Sequence, residues 1–224
     1  MLCYMCSKEA TSKEHVPPRC LFPESRDIQS ESDLDFRKEL ITVPACTDHN
    51  SKKSKDDEYL LTLLAITLPA NEIAKNHFLT KVRRSIKRNP RLITALMENR
   101  CPVTVINSQT GEIQNTTATR IEDVRLNSVL EHIARALYFH HFKEPWQGSV
   151  KTQCDFLLAS LDLDDQNLNN QCAELAEGAD HIFAKCEFYG ANPDVFKYQV
   201  LENGIDKLMR LHFYEGCRVS VFFR

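Results

Sequence analysis

Two short spacings near the start of the chain could hold a metal. Cys3 and Cys6 stand in a Cys-x2-Cys pattern, and Cys46 with His49 repeats it with histidine in the last place. Zinc takes four thiolate or imidazole donors in a tetrahedron, and two such knuckles from separated segments supply that number while tying the segments together. Together they point to a structural zinc on Cys3, Cys6, Cys46 and His49. The alternatives are cysteines buried as small apolar groups, or Cys20 or His15 as the fourth ligand. Cys101, Cys154, Cys172, Cys186 and Cys217 have no partner at ligand spacing and read as core or surface thiols. Nine cysteines are an odd number, which argues against a complete disulfide framework. Between the knuckles Glu14 precedes His15, with Val16, Pro17, Pro18 and Arg19 after them; directly after His49 come Asn50 and the lysines Lys52, Lys53 and Lys55.

In this order the residues resemble the HNH endonucleases, the ββα-metal family, and most of all the zinc-knuckle subgroup that includes endonuclease VII-like and stand-alone bacterial members. The likeness is carried by Glu14 and His15 between the knuckles, by segment 40–46, and by His49, Asn50, Lys53, Ser54, Asp57, Glu58 and Tyr59; it covers about the first 60 residues. It implies a metal-dependent hydrolase of DNA phosphodiester bonds, in which Glu14 and Asn50 hold Mg²⁺ or Mn²⁺ and His15 is the general base. The chemistry agrees: an imidazole with an ordinary pKa near 6.5 accepts a proton at neutral pH. Carboxylate and amide oxygens are the hard donors that such cations accept. Many members carry Asp where this chain has Glu14. The family's orienting Asn falls here at Ile41, whose backbone carbonyl is expected to take over that task. Neighbouring residues on a strand point to opposite faces, so Glu14 and His15 share a site only if the strand curls, as Pro17 and Pro18 favour. The competing reading makes Glu14 a solvated acid, His15 a satisfied polar histidine and Asn50 a helix cap. Family members are often tied to phage defence or mobile elements.

Arg19, Lys52, Lys53 and Lys55 are placed to follow a phosphate track, and helical spacing groups Arg84, Lys87 and Arg88 as a second basic face with Lys81 a turn earlier. That second group reads equally well as a solvated helix face. No base-reading module is visible, so nonspecific or structure-directed cutting is expected. His140 and His141 read as a surface and a core histidine rather than a second metal site. Asp162, Asp164 and Asp165 lack the Gly and terminal Glu of a calcium loop and read as a solvated loop.

These residues need elements to position them. The 224 residues are enough for one large domain or two small ones. Hydrophobic content of 42% and charged content of 26% exclude disorder and fibrous classes. No long apolar run or leader-like start is present, so a soluble, cytoplasmic protein with no membrane partner is expected. The net charge of −3 hides polarity along the chain: residues 78–100 carry seven bases and one acid, residues 155–180 seven acids and no base. Acids at 56–58 precede an apolar run at 59–68, as a helix start favours, and Pro69 breaks it. A basic helix is predicted over 71–87, a shorter one after Pro90, a hairpin around a turn at 108–111, and a helix over 127–142. Alternation at Phe196, Tyr198 and Val200, and at Val219, Val221 and Phe223, predicts strands interrupted by Asn203 with Gly204 and Glu215 with Gly216. The expectation is an α+β protein with a zinc-bound HNH unit at 1–66 and an α+β remainder at 67–224 with a C-terminal antiparallel β region. Two rivals to the nuclease reading remain. One is a zinc-stabilised module that binds nucleic acid without cutting; the other is a nuclease subunit held idle by a partner such as an ATPase or another defence protein.

Overall fold

A computed structural model describes all residues except 29–34, 52, 99, 107–109, 160–162 and 205. The fold is α+β with antiparallel sheets throughout. A two-stranded sheet opens it, β1 (Ser12–His15) against β2 (Thr42–Ala45), with Glu14 opposite Val43 and His15 opposite Thr42. The short helix α1 (Thr47–Ser51) follows β2 directly. The 3₁₀ turns Arg19–Leu21 and Ser25–Asp27 lie in the connection between the strands.

Helix α2 (Ser54–Ile66) begins one residue after Lys53 and carries Asp56 and Asp57 in its first turn, where the positive end of the helix dipole favours them. Ser54 is the first helical residue. From Tyr59 to Ala65 all residues are buried, so this is a central helix with no solvent stripe. Pro69 follows its end. Asn71 then caps α3 (Glu72–His77), its Oδ1 accepting the Ala74 amide at 3.2 Å. The predicted basic helix is one helical run, in which α3 passes through a π-helical turn (Phe78–Val82) into α4 (Arg83–Arg88). Helix α5 (Arg91–Glu98) and the hairpin of β3 (Arg100–Ile106) and β4 (Ile113–Thr119) come next; part of the turn predicted at 108–111 lies outside the described residues.

Helix α6 (Asp123–Phe142) packs against α2, β2 and β5 (Val150–Cys154), burying Leu126, Val129, Leu130, Ile133, Ala134 and Leu137. Its start is fixed on α2: Arg125 pairs with Asp56 at 2.7 Å, donates to the Lys55 carbonyl and lies over the Tyr59 ring, while the Tyr59 hydroxyl accepts the Glu122 amide. The C-terminal sheet has the order β5–β9–β8–β7–β6, where β6 is Tyr189–Asn192, β7 Phe196–Asn203, β8 Asp206–Phe213 and β9 Cys217–Phe223. Helix α7 (Leu163–Phe183) precedes these last four strands. Asp164 and Asp165, expected in a loop, form its first turn, and Asp162 lies outside the described residues.

The boundary expected after residue 66 falls at the end of α2. Buried side chains on both sides belong to one continuous cluster running from Cys3 and Tyr4 through Leu60 and Leu130 to Val221. Tyr214, fully buried, joins the two ends of the chain, its hydroxyl donating to the Leu21 carbonyl at 2.6 Å and lying 3.1 Å from His77 Nδ1. Among the described residues no helix is long and apolar enough to cross a membrane.

Candidate metal centre and the adjoining cavity

The two knuckles meet because β1 and β2 pair. The Tyr4 amide donates to the Pro44 carbonyl and the Thr11 amide to the Ala45 carbonyl, which lays the first knuckle against the end of β2. The Cys46 carbonyl accepts the amides of His49 and Asn50, so the second knuckle is the opening turn of α1. Four donor atoms result, from Cys3, Cys6, Cys46 and His49, all within 4.8 Å of one another. His49 Nδ1 lies 3.5, 3.6 and 3.3 Å from the sulfurs of Cys3, Cys6 and Cys46, and the Cys6 and Cys46 sulfurs are 3.9 Å apart. A tetrahedron with zinc–ligand bonds of about 2.3 Å to sulfur and about 2.0 Å to nitrogen has edges of roughly 3.8 and 3.5 Å, so this donor set fits a metal ion such as zinc. Among the described residues it is the only such group of His, Cys, Asp and Glu. Cys20 and His15 are not in it. The Cys20 thiol instead faces the Asp57 carbonyl. His141 packs edge-on against Tyr189 but is half-buried, as is His140, so the expected division into a core and a surface histidine does not hold; among the described residues neither belongs to a metal-ligating group.

Next to this centre lies a cavity of about 30 Å³ at the seam of β1, α2 and α6. Glu14 and His15 both line it. Strand β1 ends at His15, beyond which Pro17 and Pro18 have no N–H donor to continue it, and consecutive side chains there reach one space. Glu14 is 8% exposed. One of its oxygens accepts a short bond from the Lys53 ammonium, which also donates to the Tyr4 hydroxyl at 2.9 Å; the other oxygen is buried with no partner. Burial, with the Glu14 charge beside it, holds the Tyr4 hydroxyl far above its ordinary pKa, so it stays protonated. Burial pushes Asp57, also on the cavity wall, up to about 6 against the opposing pull of Lys53. Burial first, then Arg19 and Arg37, lowers the His15 pKa, so that ring is neutral at pH 7.

Other residues singled out by the sequence lie elsewhere. The Asn50 amide donates to Ser12 Oγ at 2.8 Å and is not on the cavity wall. Lys53 turns inward to Glu14 instead of following a phosphate track, because the buried carboxylate needs a counter-charge. Arg84 is tied to the fully buried Asp27 carboxylate at 2.6 Å, which takes it out of a free basic face. Arg19, Lys55, Lys87 and Arg88 are exposed; Lys52 lies outside the described residues. The Ile41 carbonyl accepts the Val16 amide at 2.9 Å, one residue past the histidine it was expected to orient. A larger cavity, of about 260 Å³, lies on the far side of Asp57 between α2 and α4; there Lys81 is committed to the Cys20 carbonyl and Ser85 to Glu58. Sequence reasoning missed His132 of α6, which lines the Glu14 cavity from outside the first 66 residues. No local pattern marks it, since it reaches the cavity only through the packing of α6.

Comparison of the chain with family models, with characterised proteins and with solved structures returned no match.

Proposed function

We propose that the protein is a metal-dependent endonuclease of the HNH type that hydrolyses DNA phosphodiester bonds. The observation that carries this reading is that Glu14 and His15, consecutive on a strand clamped beside the metal tetrad, open onto one cavity. His15 is the general base: its neutral ring accepts the proton of the attacking water. Glu14 is the anionic anchor of the site. A divalent cation held there, Mg²⁺ or Mn²⁺, supplies Lewis-acid stabilisation of the charge that builds on phosphate and leaving oxygen. Arg19, exposed beside His15, offers a charge to the phosphate on the open side. The structural zinc holds β1 in register with α1 and takes no part in the chemistry.

Purified zinc-loaded protein should nick plasmid DNA in Mg²⁺ or Mn²⁺, and His15→Ala should reduce nicking by at least about 100-fold, the usual worth of a general base, while DNA binding in a gel-shift assay is retained. Undiminished nicking by that variant would remove His15 from the mechanism. The Lys53–Glu14 pair favours one second reading. The lysine fills the carboxylate that a cation needs, which suits a subunit kept idle until a partner protein rearranges it. Nicking that appears only with a co-purifying partner supports that reading; full activity of the protein alone counts against it.

A further inference from the structure

The Glu14 cavity is also lined by an imidazole that residues 1–66 do not supply. His132 sits in the third turn of α6, and its Nδ1 lies 2.7 Å from the Ser128 carbonyl one turn back. A carbonyl only accepts, so Nδ1 carries the proton, and in the neutral ring Nε2 is left with its lone pair. Metal-bound histidines are held in this way, with one nitrogen donating to a backbone carbonyl and the other ligating. Glu14 lines the same cavity, more than nine-tenths buried, with one carboxylate oxygen satisfied by Lys53 and the other without a hydrogen-bond partner. A buried, unpartnered carboxylate oxygen is uncommon in a finished core and marks a place made for a donor or a cation. Asn50, the oxygen donor expected beside Glu14, is bound to Ser12 instead.

We propose that His132 Nε2 is a ligand to the divalent cation of this cavity, partnering Glu14 in the place expected for Asn50. The site thus takes one donor from β1 and one from α6, so the cation sits on the seam between the metal-clamped hairpin and the rest of the protein. A nitrogen donor shifts preference from Mg²⁺, which wants oxygen and water, toward Mn²⁺, which accepts imidazole more readily. The proposal rests on the nuclease reading for what the cation does, but not for whether it binds.

The test uses the full chain with zinc on the tetrad, titrated with MnCl₂ while free Mn²⁺ is read by electron paramagnetic resonance. His132→Ala should weaken Mn²⁺ affinity at least about tenfold and narrow the Mn²⁺ over Mg²⁺ preference, with zinc content unchanged. Equal affinity in the variant, or no Mn²⁺ binding by the wild type, overturns the proposal. Should the variant fold poorly, substoichiometric Mn²⁺ added to ¹⁵N-histidine-labelled wild type should broaden the His132 ring signals; an unbroadened His132 ring overturns it equally. Mn²⁺ binding through His132 in a protein that leaves plasmid intact, both alone and with any co-purifying partner, sinks the nuclease reading and keeps the ligand. Nicking by a protein whose Mn²⁺ affinity ignores His132 does the reverse.

Discussion

Lys53 holds the Glu14 carboxylate in a buried ion pair. Its side chain is 16% exposed and that of Glu14 10%, so the pair is largely out of water, and removing one member leaves an uncompensated buried charge. Lys53→Met should therefore cost about 3 kcal/mol in urea unfolding of the zinc-loaded protein, and adding Glu14→Gln should recover much of that loss. Equal cost for the single and double variants would mean that the pair is not coupled. A second residue sets acid sensitivity. His77 is fully buried, and burial pushes its pKa down to about 3. Unfolded, it binds a proton below about 6.5; folded, it does not until much lower pH, so its contribution to stability is present above 6.5 and is lost as the pH falls toward 3. His77→Gln should thus be destabilised at pH 7.5, and the gap to wild type should narrow by roughly 1 kcal/mol at pH 5.5, the zinc-linked acid loss being common to both.

Among the elements, the β1–β2 pair with α1 is the one that a metal on the tetrad would tie together. The hairpin has four residues on each strand, too few to stand alone in water, and the tetrad closes its open end. Stripping the metal with a strong chelator should lower the melting temperature by roughly 10 °C, and hydrogen exchange should quicken at residues 3–15 and 42–51 while the five-stranded sheet keeps its protection. Uniform quickening would instead make the metal a global staple. The same contrast explains what could be read from the sequence. Ligand types and spacing are local, so the tetrad was legible in Cys3, Cys6, Cys46 and His49. The hairpin of β3 and β4 and the last three strands were legible from alternation and turn residues. Helix α7 was not: Ala176 and Phe183 are its only buried apolar positions among those described, too thin a stripe to register as a period. Strand β5 was missed because Val150–Cys154 gains its place only by pairing with β9, far along the chain. Asn50 and His132 exchanged prominence for the same reason, since which side chain faces a cavity is set by the packing of elements remote in sequence.

At the scale of the whole molecule, the N-terminal unit and the remainder share a core. Leu60, Leu63 and Leu64 of α2 are buried in the same cluster as Leu130 and Leu137 of α6, and His77 and Leu21 both reach Tyr214 near the C-terminal end. A fragment of residues 1–66 should consequently give a collapsed, poorly dispersed NMR spectrum even with zinc, whereas the full chain should unfold in one transition. A dispersed spectrum from the fragment would show that residues 1–66 fold as a unit by themselves. Ion pairs tie the far side together: Arg210, with no exposure, pairs with the buried Asp155 carboxylate and with the part-exposed Asp180, and Arg218, itself part-exposed, also pairs with Asp180.

Gly216 lies tight against the loop that leaves α2. A β-carbon built there would come within 1.8 Å of the Pro69 carbonyl oxygen, at the loop that leaves α2. A single methyl at that corner would act as a wedge, prising the sheet from the helix whose other end presents Asp57 to the cavity. Substitution at a position with no chemistry of its own is thus able to loosen the site by leverage.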